Sequence, residues 1–105
     1  MTLAASPVNP PVPGHLIQLA GDVDMARRSE LDALLAGFVD SASSTASIDL
    51  AEVTFLDSTG LAFLAQVRNV CRSRGGSVTL LHPNPAVLRT LTLVGFHLVF
   101  DVVGD

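Results

Sequence analysis

The chain has 105 residues, which is enough for one small domain. Its hydrophobic fraction of 49% and charged fraction of 15% exclude a disordered chain, which would be poorer in apolar residues and richer in charge. The net charge of -4, without a dense basic patch, argues against a nucleic-acid partner, and no apolar stretch approaches the roughly 18 residues that a membrane-spanning helix needs.

The N-terminal segment differs from the rest in its proline content. Four of the six prolines lie within residues 1–13, and proline removes amide donors and favours extended chain. We therefore predict a proline-rich tail over residues 1–13, holding at most one weak edge strand, and one folded domain over residues 14–105. The tail lacks the basic start and long apolar stretch of a signal peptide, so we expect a cytoplasmic protein.

The domain begins with a predicted strand and helix. Alternating residues over 15–24 predict a strand that ends in a turn at Gly21–Asp22. A stripe at i, i+3, i+4, i+7 and i+8 predicts a helix over residues 25–41, for which Asp24 is a plausible N-cap. The stripe consists of Leu31, Leu34, Leu35, Phe38 and Val39.

The middle of the domain repeats this order. Small polar residues over 41–47 predict a loop. Apolar pairs over 48–56 predict a second strand, with a bulge or turn near Ala51–Glu52 where the alternation changes phase. A second helix follows and ends at Gly75–Gly76. Its apolar stripe consists of Leu61, Leu64, Val67 and Cys71.

The final elements continue the alternation. Residues 77–81 predict a third strand, and Asn84–Pro85 combines an N-cap with a first-turn proline, so a third helix begins there and stops near Gly95. Residues 97–103 predict a last strand. One face of it would carry Leu98, Phe100 and Val102. Strands that alternate with helices bury a largely parallel sheet, so the predicted fold class is α/β.

The sequence contains no constellation that predicts catalysis or a metal site. His15, His82 and His97 border predicted strands and have no partner at metal-ligand or triad spacing. Cys71 falls in an apolar helix stripe, which favours a buried structural thiol, and a single cysteine rules out an internal disulfide. We therefore expect no enzyme, no metal and no cofactor.

Three arginines crowd the last turns of the second helix, namely Arg68, Arg72 and Arg74. Complementing the negative end of the helix dipole explains them adequately. A docking patch for an acidic partner is the alternative interpretation.

The segment from Asp57 to Leu61 stands where an apolar strand ends and an amphipathic helix begins. In α/β sheets ligands and phosphates collect at this edge, because helix N-terminal amides point outward there. The simpler interpretation is that Asp57 or Ser58 caps the helix and that Gly60 eases close packing.

The order of elements and five short segments together resemble the STAS family, named for sulfate transporters and anti-sigma factor antagonists. The resemblance covers residues 15–103, and its most specific part is the strand followed by a D-S-x-G-hydrophobic motif. The matching segments are LAGDVD (19–24), VTFLDSTGL (53–61), Gly75–Gly76, NPAV (84–87) and LVGF (93–96).

The resemblance implies a small mixed, mostly parallel sheet flanked by helices, without catalysis, whose first strand would fall in residues 1–13. It implies that Ser58 accepts a phosphate from an anti-sigma factor that is also a serine kinase, and that a serine phosphatase resets the protein. Binding of the unphosphorylated protein would release the sigma factor. The partner-binding residues would be Asp22, Asp24, Asp57, Ser58, Thr59 and Gly60.

A second function is consistent with the same resemblance. The chain would then be a STAS module that binds a small ligand or lipid, or a structural subunit of a transporter or signalling assembly, without phosphorylation.

Overall fold

The computed structural model describes residues 14–104, along which strands and helices alternate in the predicted order. The strands of this range are β1 (His15–Val23), β2 (Ala46–Leu56), β3 (Val78–Leu81) and β4 (Asp101–Val103). The α-helices are α1 (Arg28–Asp40), α2 (Ser58–Ser73) and α3 (Pro85–Leu93). Short 3₁₀ turns at Met25–Arg27 and Phe96–Leu98 precede α1 and β4.

The described strands form one sheet in the order β1-β2-β3-β4, and each neighbouring pair is parallel. The α/β class is therefore confirmed. A mixed sheet requires a further strand, which was expected within residues 1–13. These residues, and with them the predicted proline-rich tail, lie outside the described range. Because the strands run in one direction, the ends of β1 and β2 and the starts of the helices that follow them meet at one edge of the sheet.

The core lies between the sheet and the helices, with α1 against α2 and with α2 and α3 against β2. Its largest fully buried side chains include Phe38, Ile48, Leu50, Leu64, Leu80 and Leu91. The predicted inward face of α2 is confirmed, since Leu64, Val67 and Cys71 are completely buried. The predicted stripe of α1 is wider than its buried face, because Val39 is 40% exposed.

The predicted turn at Gly21–Asp22 is wrong, because β1 continues to Val23. The pairing register with β2 shifts between Gln18 and Ala20 and again between Gly21 and Asp22. The first shift lies opposite the predicted bulge near Ala51–Glu52, which is confirmed. Gly21 has a φ of +72°, a conformation that glycine adopts without strain, so the strand stays paired where the local pattern indicated a turn.

Two other boundaries also differ from the prediction. The loop predicted over 41–47 ends early, because Ala46 and Ser47 are buried in β2. The helix predicted over 25–41 begins with a 3₁₀ turn, and its α-helical part spans Arg28–Asp40.

The strand predicted over 97–103 is too long, because β4 begins at Asp101. Gly95 adopts the left-handed conformation, with a φ of +80°, and starts a 3₁₀ turn in which the Leu98 N–H donates to the Gly95 carbonyl at 3.1 Å. Leu98 is consequently 78% exposed while Phe100 is buried, so the two side chains do not share a face as expected.

The C-terminus of α2 ends as predicted at a pair of glycines. The Gly76 N–H donates to the Cys71 carbonyl at 2.8 Å and the Gly75 N–H to the Arg72 carbonyl at 3.1 Å, which is a Schellman motif. Arg74 donates to the Ser43 carbonyl at 2.8 Å and to the Val39 carbonyl at 2.9 Å. It therefore ties this end of α2 to the chain that follows α1, a role that neither sequence interpretation of the arginines included.

Candidate functional site

Asp57 caps α2 and fixes its first turn. One carboxylate oxygen, Oδ1, accepts hydrogen bonds from the Thr59 N–H at 2.8 Å and from the Gly60 N–H at 3.2 Å. These amides have no partner within the helix itself, so the cap stabilises the helix start. Asp57 is thus the capping residue, and Ser58 is the first residue of the helix.

Asp57 also connects α2 to the end of β1. Its second oxygen, Oδ2, accepts from the Met25 N–H at 3.3 Å, the first amide of the 3₁₀ turn before α1. Its own N–H donates to the Val23 carbonyl at 3.3 Å. One carboxylate therefore holds two helical starts at the same edge of the sheet.

Gly60 allows α2 to approach β1 more closely than any other residue would. A β-carbon at this position would lie 2.7 Å from the Val23 carbonyl oxygen and 2.8 Å from Cδ2 of Leu56. Gly60 is itself buried. The sequence interpretation that it eases close packing is confirmed, and the contact sets how deeply the start of α2 sits against the sheet.

Ser58 is exposed at the start of α2, and its hydroxyl forms no hydrogen bond with any residue of the 14–104 range. It borders a polar pocket of about 210 Å³ between α1 and α2. The pocket is lined by Arg28, Asp32, Ser58, Thr59, Ala62 and Gln66. The hydroxyl is accordingly accessible, while the backbone that carries it is fixed by the cap.

Asp24 lies beside this site, whereas Asp22 does not share its face. The Asp24 carboxylate caps the 3₁₀ turn by accepting from the Ala26 N–H at 3.1 Å. The Asp22 carboxylate accepts from the Thr54 hydroxyl at 2.6 Å. Alternate side chains of a strand point to opposite faces, so Asp22 lies on the face opposite to Val23. The structure thus places Asp24 next to Met25, whose amide binds Asp57 beside Ser58, and leaves Asp22 on the other side of the sheet.

Comparison with known proteins identifies the family. The family described as "Mlab, STAS domain" matches residues 12–102. The chain belongs to the STAS domain family. No curated protein sequence matches it.

Two solved proteins share the fold of this STAS domain. A crystal structure of TM1081 from Thermotoga maritima, assigned as an anti-sigma factor antagonist, has a TM-score of 0.76 at 18% identity and covers 86% of this chain and 80% of that one. An NMR structure of TM1081 has a TM-score of 0.73 at 17% identity, and the match covers 89% of this chain and 80% of that one. The anti-sigma factor antagonist SpoIIAA in its unphosphorylated form has a TM-score of 0.64 at 21% identity, with 86% and 77% covered.

Sequence reasoning missed two residues of the STAS domain that lie close to the site. Met25 is 71% exposed, and its amide contacts Asp57. Arg27 donates to the carbonyls of Ala20 and Asp22, both at 3.2 Å, and its guanidinium binds Glu30 through two hydrogen bonds. The hydrogen bonds and charge of Arg27 lower the pKa of Glu30. The contacts of Arg27 are made to backbone carbonyls at the end of β1, which no local pattern of side chains indicates.

Histidine, cysteine and acidic side chains of the STAS domain form no metal-binding cluster in the described range. Residues 14–104 contain no group of three or more histidine, cysteine or acidic side chains placed to hold a metal ion. Burial raises the pKa of the Cys71 thiol, which is therefore protonated at neutral pH, as a structural cysteine would be. No helix in the described range is long and apolar enough to cross a membrane.

Proposed function

We propose that this STAS domain is a non-enzymatic regulatory protein that binds an anti-sigma factor serine kinase and is switched by phosphorylation of Ser58. The observation that carries the proposal is the exposed Ser58 hydroxyl, without a partner among the described residues, on a helix start that Asp57 holds in place. The place of Ser58 in the D-S-x-G-hydrophobic motif and the fold shared with the antagonist SpoIIAA support the same function.

The position of Ser58 suits phosphoryl transfer. The kinase would transfer the γ-phosphoryl group of ATP to Ser58 Oγ, so that an O–P bond forms, ADP leaves and the hydroxyl proton passes to the kinase. A phosphate at this point is favoured by the helix dipole, so the fold should tolerate it. The hydrogen bonds from the Thr59 and Gly60 amides to Asp57 would hold the start of α2 in place during the transfer.

The added charge accounts for the switch. Phosphorylation adds about -1.5 to -2 charge at Ser58, next to Asp57 in the chain. A unit-charge pair at about 4 Å is worth roughly 1 kcal/mol in water and about 4 kcal/mol at an effective dielectric near 20. Repulsion of this size between the phosphate and an anionic group of the partner would weaken the interface roughly fivefold to several hundredfold. A partner surface that fits the neutral serine would therefore release the phosphorylated protein.

The other partner-binding residues have different parts in this proposal. Thr59 lines the same pocket as Ser58 and would contact the kinase directly. Asp24 precedes Met25, whose amide binds Asp57, and would contact the kinase at the edge of the site. Gly60 is buried against Val23, so it positions the serine rather than touching the partner. A serine phosphatase would reset the protein, and both reactions would take place in the cytoplasm.

Intact mass after incubation with candidate kinases and ATP tests the proposal. We expect a gain of one phosphate in the unaltered chain and in Thr59→Ala, and no gain in Ser58→Ala. Labelling that survives in Ser58→Ala and disappears in Thr59→Ala would show that Thr59 is the acceptor. If no candidate kinase labels the unaltered chain, the proposed switch is rejected.

A second candidate function rests on a different surface. A pocket of about 350 Å³, more apolar than polar, is lined by Pro83, Pro85, Leu88, Val102 and Gly104. Leu93 and Leu98 are nearly four-fifths exposed. These features favour a STAS module that binds a small apolar ligand or lipid, or that acts as a structural subunit of a larger assembly. If Ser58→Ala leaves the protein's activity in the cell unchanged while Leu88→Asp abolishes it, this alternative replaces the phosphorylation switch.

A further inference from the structure

The polar pocket between α1 and α2 places a cationic side chain next to the proposed phosphorylation site. Arg28 is the first residue of α1, and it lines the same pocket of about 210 Å³ as Ser58. It is the one cation among the lining residues, and Asp32 is the one anion. The two residues are 30 positions apart in the chain, so the fold and not the sequence brings them to one pocket.

The guanidinium of Arg28 has no partner among the described residues, and the same holds for Arg72 and Arg89. The guanidinium groups of Arg27, Arg68 and Arg74 each donate to a backbone carbonyl. Asp32 is one turn along α1 from Arg28, yet the two form no ion pair. The guanidinium of Arg28 is therefore available to a further anion at the pocket.

We propose that Arg28 binds the phosphate on phosphorylated Ser58, an inference that rests on the proposed function. A guanidinium presents several N–H donors that match phosphate oxygens. Thr59 and Gln66 add a hydroxyl and an amide as further donors on the α2 side of the pocket. The carboxylates of Asp32 and Asp57 would repel the phosphate. Arg27 is already paired with Glu30 and is not available to it. Phosphorylation thus adds an anion and also removes a free arginine from the partner-facing surface.

The second pKa of the phosphate tests this contact directly. Phosphoserine is installed at position 58 of the full chain by genetic code expansion, and its titration is followed by ³¹P NMR. The same protein is prepared with Arg28→Gln, with Arg28→Ala and with the control Arg72→Ala. Arg72 lies 14 residues along α2 from Ser58, about 21 Å, which is well beyond the screening length of about 8 Å at physiological salt.

We expect Arg28→Gln and Arg28→Ala to raise the phosphate's second pKa by about half a unit, because a nearby cation favours the dianion. Arg72→Ala removes the same net charge and should leave that pKa unchanged. Equal pKa values in all four proteins, or an equal rise in Arg28→Ala and Arg72→Ala, would overturn the proposal. Because the phosphate is installed without a kinase, the result is independent of whether any kinase recognises Ser58. Failure of the proposed function would instead appear in the kinase labelling.

Discussion

Gly60 is the residue whose replacement most directly tests how the site is positioned. In Gly60→Ala, the new methyl group would lie 2.7 Å from the Val23 carbonyl oxygen, 2.8 Å from Leu56 Cδ2 and 3.1 Å from Val23 Cγ1. The carbonyl belongs to a paired strand and cannot rotate away, so α2 must move outward. The start of α2, including Ser58, would move with it.

The expected loss of stability follows from two opposing terms. Overpacking of a tight core costs about 1–3 kcal/mol, and a clash with backbone belongs at the upper end of that range. Replacing glycine by alanine within a helix raises the free energy of unfolding by about 1 kcal/mol. We therefore expect Gly60→Ala to lower the free energy of unfolding by about 1–2 kcal/mol, or the Tm by roughly 4–16 °C.

Gly37→Ala is the matched control, because Gly37 lies within α1 and nothing lies within 4 Å of its added methyl group. It should stabilise the protein by about 0.5–1 kcal/mol through helix propensity. Thermal unfolding followed by circular dichroism measures both variants. If Gly60→Ala is as stable as Gly37→Ala, the close approach of α2 to β1 is refuted.

Leu64→Ala should lower the free energy of unfolding by about 2–5 kcal/mol, because Leu64 is fully buried in the core; a loss below about 1 kcal/mol in urea unfolding would mean that α2 presents a different face. Asp57→Ala should lower it by about 1–2 kcal/mol in the same assay, since three amides lose their acceptor, and an unchanged midpoint would contradict the cap. The raised pKa of Cys71 means that the folded chain retains a proton which the unfolded chain releases, so stability should fall as the pH rises past about 8.5. In Cys71→Ala the free energy of unfolding should not decrease in this way. Equal dependence on pH in the two proteins would contradict the role of Cys71.

Local signals explain why much of the fold was predictable. Asp24 and Asn84 cap helical starts through bonds that span two or three residues, so their sequence neighbourhoods contain the whole interaction. The glycine pair that ends α2 is equally local. The buried face of α2 followed from its periodicity, with Leu64 at the centre.

The errors arose where long-range contacts override such signals. Gly21–Asp22 has the composition of a turn, yet parallel pairing with a bulged β2 keeps it within a strand. The alternation of Leu98 and Phe100 is typical of a strand, but the left-handed Gly95 starts a 3₁₀ turn.

The candidate site divides in the same way. The position of Ser58 at a helix start followed from the motif, because the strand end and the cap adjoin it in sequence. The meeting of Arg28 with Ser58 across a pocket, and the second bond of Asp57 to the Met25 amide 32 residues away, required the folded structure.

The affinity of Ser58→Asp for an anti-sigma factor kinase that binds the unaltered chain tests the central claim most directly. Isothermal titration calorimetry compares it with Ser58→Ala and with Ser73→Asp, which places the same charge on the last turn of α2. We predict that Ser58→Asp weakens binding roughly fivefold or more, while Ser58→Ala and Ser73→Asp stay within about twofold of the unaltered chain. Equal losses in Ser58→Asp and Ser73→Asp, or full affinity in Ser58→Asp, would contradict a switch at Ser58.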